Sequence, residues 1–135
     1  MSKPRYDWWP YVKGMIRRYP ELCSAEADLR STSMTAGYSM ELHGKGRTGD
    51  PVANAALRQL PEVNRRELAA VRHAIAVTRT LPAGDERLSM VRMVYWSRTH
   101  TFDGAALSLY RSRRTVLSWH GEFVREVARG FGLLE

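Results

Sequence analysis

Apolar residues recur throughout this chain at the spacing of an α-helix rather than in the alternation of a β-strand. The N-terminal segment has the widest stripe, with apolar side chains at i, i+3, i+4, i+7, i+8 and i+11, which are Trp8, Tyr11, Val12, Met15, Ile16 and Tyr19. The spacing predicts an all-α protein of five or six helices, without a strand of four or more residues in 50–134. We expect the Trp8, Val12 and Met15 face to pack on the rest of the chain or on another copy.

Proline, glycine and hydroxyl residues divide the chain into two predicted parts. Pro20 is expected to break or restart the first helix, which then continues on a weaker apolar face to about Arg30. Residues 31–49 hold four glycines, several hydroxyl side chains and no sustained periodicity, which is typical of a flexible segment. The predicted organisation is therefore an aromatic helix and a flexible segment in 1–49, followed by a helical domain in 50–135.

Helix start and stop signals follow one another in the second part. Asp50-Pro51 places an acidic cap before a proline at the first helical position, which is a strong start signal. The predicted helices run from there to about Leu60, from Glu62 to near Leu81, and through Leu88, Val91, Val94 and Tyr95 to the polar run that begins at Ser97.

The charge of the chain favours a polyanionic partner. Lys and Arg together number 21 against 14 Asp and Glu, which gives a net charge of +7 and a pI near 10.1. All of these cations except Lys3, Lys13 and Lys45 are arginine. The planar, forked guanidinium grips phosphate oxygens and guanine edges, although a GC-rich genome produces the same bias without any such function.

Several classes of protein are not indicated by the sequence. No apolar run approaches the roughly 20 residues that span a bilayer, and the first residues lack the apolar region of a signal peptide, so we expect a cytoplasmic protein that binds no membrane. Cys23 is the single cysteine, and the four histidines form no i, i+4 pair, so no metal site is expected. No P-loop, dinucleotide signature or paired-carboxylate motif occurs, and the sequence predicts neither catalytic residues nor a cofactor.

The last third of the chain carries the residue types that two helices joined by a tight turn require. Thr101 and Ser112 can cap the first and second helix, and Asp103 lies in the first turn of the former, where the helix dipole favours an anion. Ala106 is small enough for the helices to approach closely. The apolar side chains expected at the contact between them are Leu107, Leu109, Val116 and Trp119. The prediction is a helix-turn-helix over 101–129, in which 112–125 enters the major groove.

The predicted DNA contacts lie in or beside the second helix, and its exposed start supplies Arg113, Arg114, Leu117 and Ser118. The full set of predicted contacts is Arg111, Ser112, Arg113, Arg114, Thr115, Leu117, Ser118 and Arg125. Adjacent arginines at this end of a helix suit phosphate binding or guanine recognition. The alternative hypothesis is a plain helical hairpin with a solvated basic face.

Residues 81–134 resemble region 4 of the sigma-70 family of transcription factors. The shared pattern appears here as Leu81-Pro82, Glu86-Arg87, an apolar helix with a tyrosine over 91–95, Thr101 with Ala105-Ala106, and Ser112-Arg113-Arg114-Thr115-Val116. The sequence departs from this pattern in two places. Tyr110-Arg111 stand where the turn usually has glycine followed by an aliphatic residue, and Gly104 replaces a better helix former. If position 110 needs a positive φ, tyrosine adopts it at a cost.

More narrowly, the chain resembles the RinA and ArpU group of phage transcriptional regulators, through Tyr95-Trp96, Thr115-Val116 and Trp119-His120. This resemblance implies a phage or prophage activator of late genes that binds promoter double-stranded DNA and acts with host RNA polymerase, as a monomer or homodimer. The competing hypotheses are a phage terminase small subunit-like packaging protein and a sigma-interacting module that binds protein only. The N-terminal portion is left with three roles, which are polymerase contact, dimerisation and core packing.

Overall fold

The structure, a computed structural model, describes residues 7–43 and 59–134, with side chains described for 7–31 and 59–134. The described residues form five helices and no strand, which confirms the all-α prediction. The elements are α1 (Trp9–His43), α2 (Glu62–Arg79), α3 (Gly84–Val91) with a π-helical turn (Arg92–Trp96) at its end, α4 (Phe102–Leu109) and α5 (Arg113–Phe131). The predicted helix that begins at Asp50-Pro51 lies outside the described residues.

The core surrounds α5, which contacts α1, α2, α3 and α4. Its inner face consists of buried residues, namely Val116, Trp119, Phe123, Val124, Val127 and Ala128. Val12, Met15 and Ile16 of α1 are fully buried in the same core, and Trp8 packs against it. The prediction that the N-terminal helix packs on the rest of the chain is thus confirmed, and the first turns of α1 form one core with the C-terminal helices.

The prediction that Pro20 interrupts the first helix is wrong, because α1 runs through Pro20 without a break to His43. Proline has no N–H to donate to the carbonyl four residues before it, so the carbonyl of Ile16 loses its partner within the helix. The indole Nε1 of Trp96 donates to this carbonyl at 2.8 Å. A side chain from the π-helical turn thereby replaces the missing backbone donor.

The predicted flexible segment at 31–49 is also wrong for residues 31–43, which belong to α1, whereas 44–49 lie outside the described residues. The stretch 31–43 contains no proline and only one glycine, Gly37. Its hydroxyl residues lower helix propensity by only a few tenths of a kcal/mol each, roughly, relative to alanine, which does not end a helix.

We expect Pro20 and Trp96 to be energetically coupled. Trp96→Phe leaves the Ile16 carbonyl without its donor, which costs about 1–3 kcal/mol of the free energy of unfolding. In a Pro20→Ala background, the backbone N–H restored at position 20 donates to this carbonyl, and the same substitution costs less by about 1 kcal/mol. Denaturant unfolding of the wild type, both single variants and the double variant measures this coupling. If the effects of the two single substitutions on the free energy of unfolding simply add in the double variant, Trp96 does not replace the backbone donor that Pro20 lacks.

Candidate nucleic-acid interface

Helices α4 and α5 are joined by three residues, 110–112, and both helices begin at side-chain caps. The hydroxyl of Thr101 accepts a hydrogen bond from the Gly104 N–H at 3.1 Å, and that of Ser112 accepts from the Thr115 N–H at 3.0 Å. Both predicted caps are confirmed, as is the place of Asp103 in the first turn of α4. Each cap satisfies a backbone donor that has no partner within its helix.

The turn itself is built on Tyr110, which adopts a left-handed conformation at φ 56° and ψ 42°. Its N–H donates to the Leu107 carbonyl at 3.3 Å, and the Arg111 N–H donates to the Ala106 carbonyl at 3.0 Å. This is the Schellman pattern of helix ends, in which glycine usually occupies the left-handed position. Position 110 thus has a positive φ, the condition under which a tyrosine there is expected to cost stability.

The contact between the two helices forms on the side of α4 that carries its small residues. Ala105 and Ala106 are buried, and Val116 and Trp119 of α5 are buried as predicted. Leu109 packs against this core, but Leu107 is 79% exposed, so the prediction that Leu107 anchors the contact is wrong. The side chains of α4 that face the core are spaced three, four or seven residues apart along the helix. Leu107 does not have this spacing and lies on the outer side.

The outward face of α5 begins with the predicted DNA contacts. Arg114 and Ser118 are exposed one turn apart, and Arg125 follows seven residues later on the same side of the helix, half-buried. Arg114 has no ion-pair partner among the described residues, whereas the Arg125 guanidinium lies over the Trp9 ring, 6.0 Å from its centroid. Leu117 is half-buried beside this stripe. The structure thus gathers Arg114, Ser118 and Arg125 on one outward stripe.

Arg113 is exposed at the first position of α5 and pairs with Asp103 of α4, Nε to Oδ1, at 2.6 Å. Both side chains are about two-thirds exposed, at 67% and 68%. Exposed ion pairs of this kind contribute about 0–1 kcal/mol, so Arg113 can exchange Asp103 for a phosphate at little cost. Ser112 and Thr115, also among the predicted contacts, bond to each other through their hydroxyls at 2.9 Å.

Arg111 is held within the fold more firmly than the sequence suggested. Its guanidinium forms a bidentate pair with Glu86 of α3, with Nε–Oε2 at 2.9 Å and Nη2–Oε1 at 2.8 Å. The hydrogen bond from Arg111 also lowers the pKa of the Glu86 carboxyl. The same guanidinium lies 5.5 Å from the centroid of the Trp119 ring, as does that of Arg87. Arg111 therefore fixes the turn against α3, and its predicted contact with DNA stays a prediction.

Sequence reasoning did not identify Glu86 as the partner of Arg111, because these residues are 25 positions apart. The only signal in the sequence was the Glu86-Arg87 pair within the sigma-like pattern. Arg87 extends the same arrangement by pairing with Glu122 of α5 at 2.6 Å. These two ion pairs tie the start of α3 to the turn and to the middle of α5.

His120 lies where α1, the π-helical turn, α4 and α5 meet. Its Nε2 shares a hydrogen bond of 2.6 Å with the Tyr95 hydroxyl, and the rings of Trp9 and Phe102 pack beside it. Burial is the main cause that lowers the pKa of His120 to about 4, and the charge of Lys13 adds to it. The imidazole is therefore neutral near pH 7.

We expect the protein to lose stability as the pH falls from about 6.5 to about 4. The pKa of His120 is lower in the folded state than its ordinary value of 6.5, so the unfolded chain takes up the proton first and is favoured by acid. The loss reaches roughly 3 kcal/mol at pH 4, at 1.36 kcal/mol for each unit of pKa difference.

Denaturant unfolding at a series of pH values measures this loss. The control is His120→Gln, whose neutral amide keeps a polar partner near Tyr95 and does not titrate. We expect the control to be less stable near pH 7 but to change less between pH 6.5 and 4. An equally steep loss in the control would assign the acid sensitivity to other groups.

Comparison of the chain with protein-family models, with curated proteins and with solved structures finds no match. Within the described ranges, no helix is long and apolar enough to cross a membrane. The described residues also contain no group of three or more His, Cys, Asp or Glu side chains that could hold a metal ion. The interpretation of the interface therefore depends on its own geometry and charge.

Proposed function

We propose that this chain is a sequence-specific DNA-binding transcription regulator in which α5 is the recognition helix. The observation that carries the proposal is the capped pair α4 and α5, whose second helix presents Arg113, Arg114 and Ser118 outward at its N-terminus. In helix-turn-helix proteins this end of the second helix contacts base edges in the major groove. Arginine and serine side chains are suited to guanine edges and to phosphates.

The local electrostatics of α5 favour a polyanion. Its first turn contains no acidic residue, and Ser112 satisfies the Thr115 N–H, which leaves earlier N–H groups of the helix for an outside acceptor. The positive end of the helix dipole adds to the charge of the two arginines. A hairpin that only covered a core would gain nothing from this concentration of positive charge.

The finer proposal is a phage or prophage late-gene activator that acts in the cytoplasm with host RNA polymerase. It is supported by the resemblance of 81–134 to sigma region 4 and to the RinA and ArpU group. Val12, Met15 and Ile16 share one core with α5, so core packing is one role of the first part of α1. A fragment that starts at residue 50 would lack these side chains, and functional tests therefore require the full chain.

A selection experiment tests the DNA-binding proposal. The full chain is incubated with a library of random-sequence DNA duplexes, and the bound fraction is amplified and sequenced over several rounds. We expect one short motif to be enriched by the wild type and lost in the Arg113→Ala/Arg114→Ala variant. Failure of the folded wild-type chain to enrich any sequence would contradict sequence-specific recognition. A native mass corresponding to a ring of many copies, rather than to a monomer or dimer, would favour the packaging alternative.

A further inference from the structure

The two most exposed large apolar side chains in the described part of the chain are Tyr110, at 94%, and Leu107, at 79%. They lie three residues apart at the end of α4 and in the turn that leads into α5. Exposed apolar residues are common singly, but two neighbours beside a candidate binding helix form a surface that the described part of the fold does not use.

The left-handed backbone conformation of Tyr110 is less stable for tyrosine than for glycine. The end of α5 has the same hydrogen-bond pattern as the end of α4, and there the left-handed residue is Gly132, at φ 98°. Glycine adopts this conformation without the steric cost that a Cβ brings. Because the Tyr110 ring is almost fully exposed, packing within the described fold does not offset that cost.

Leu107 lies on the face of α4 that Asp103 links to the start of α5. Asp103 lies one turn before Leu107 on α4, and its carboxylate reaches Arg113 at 2.6 Å. Tyr110 precedes Arg113 by only three residues. A ligand that touches Arg113 and Arg114 is therefore within reach of Tyr110 and Leu107 as well.

The size and surroundings of this pair favour a nucleic-acid backbone over a protein surface. A stable protein interface buries about 800 Å² on each partner, far more than two side chains supply. The neighbours Arg113 and Arg114 suit phosphates. A phenolic hydroxyl donates to a phosphate oxygen, and such contacts to phosphate and sugar set the register of a recognition helix on the duplex.

We propose that Tyr110 and Leu107 bind the sugar–phosphate backbone of duplex DNA at the edge of the major groove that α5 enters. The Tyr110 hydroxyl donates to a phosphate oxygen, and Leu107 packs on the adjacent deoxyribose. This inference rests on the proposed function and adds to it two positioning contacts that the sequence did not indicate.

Tyr110→Gly tests the inference because it separates binding from folding. Glycine relieves the left-handed strain, so we expect the thermal midpoint to rise by a few degrees. The affinity for duplex DNA falls about 5- to 30-fold at the same time. The loss is equal on the selected motif and on unrelated duplexes, since backbone contacts carry no sequence information. The salt dependence of binding does not change, since no charge is removed.

Further variants assign the contact to individual groups. Tyr110→Phe keeps the ring and loses only the hydroxyl, so it retains part of the affinity, and Leu107→Ala loses affinity without a change in salt dependence. The control is Val63→Ala, which removes an exposed apolar side chain in the first turn of α2, at 47% exposure, and leaves binding unchanged.

The outcomes separate this inference from the proposed function. Unchanged affinity in Tyr110→Gly, with loss in Arg114→Ala, would overturn the backbone contact and leave α5 as the recognition helix. A parallel loss of stability and affinity in Tyr110→Gly would overturn it too, because the residue would then be structural. A change of native mass in Tyr110→Gly with normal DNA binding would assign the pair to a protein contact. Absence of DNA binding in the wild type would instead contradict the proposed function.

Discussion

Arg114→Ala is expected to weaken binding to the selected duplex by about 1–3 kcal/mol, or roughly 5- to 150-fold. Arg114 is exposed on the outward face of α5 and has no ion-pair partner among the described residues, so its guanidinium is available to DNA. Arg113→Ala falls at the lower end of this range, because Arg113 must first leave Asp103. Fluorescence anisotropy with the labelled selected duplex measures both affinities.

The control for Arg114 is Arg79→Ala. Arg79 is an exposed arginine of α2 without an ion-pair partner in the described ranges, and it lines a groove formed by α1, α2, α3 and the π-helical turn, away from α5. Arg79→Ala changes the net charge by the same amount as Arg114→Ala, but we expect it to leave the affinity for the duplex almost unchanged. If Arg113→Ala and Arg114→Ala both bind as tightly as the wild type, α5 is not the recognition helix.

Gly84→Ala is expected to destabilise the fold by about 2 kcal/mol or more. A Cβ at Gly84 would lie 2.6 Å from the carbonyl oxygen of Thr78 and 2.9 Å from that of Arg79. Both atoms belong to the backbone at the end of α2, so the start of α3 must move away from α2. Thermal and denaturant unfolding measure the loss.

A second glycine provides the matched control. A Cβ at Gly104, in the first turn of α4, would meet its nearest described atom, the Thr101 hydroxyl, at 3.5 Å, which is an ordinary van der Waals contact. Gly104→Ala is therefore expected to stabilise the fold by up to about 1 kcal/mol through helix propensity. If Gly84→Ala lowers the free energy of unfolding and Gly104→Ala raises it, the result supports the close approach of α2 and α3. Equal changes in the free energy of unfolding would contradict that approach.

The parts of the fold that the sequence predicted depend on short-range signals. The caps at Thr101 and Ser112 follow from residues within one or two turns of each position. The end of α2 was likewise predicted near Leu81 from a local stop signal, and the helix ends two residues earlier, at Arg79.

The features that the sequence did not predict depend on residues far away in the chain. Pro20 indicates a helix break unless another side chain takes the Ile16 carbonyl, and that partner, Trp96, lies 80 residues from Ile16. The role of Arg111 in holding the turn requires Glu86, which belongs to a different helix. Leu107 was assigned to the wrong face because α4 has only eight residues, too few for the apolar pattern to define one side.

If the outward face of α5 binds duplex DNA through its basic residues, these residues determine how strongly salt weakens binding. The affinity of the full chain for the selected duplex is measured at several salt concentrations between about 50 and 200 mM, together with the Arg113→Ala/Arg114→Ala variant. We expect a linear fall of log K with log salt, and a slope that is shallower in the variant by about 0.9 for each phosphate contact removed. Absence of duplex binding by the wild type at the lowest salt, or an identical affinity and slope in the variant, would contradict DNA binding by this face of α5.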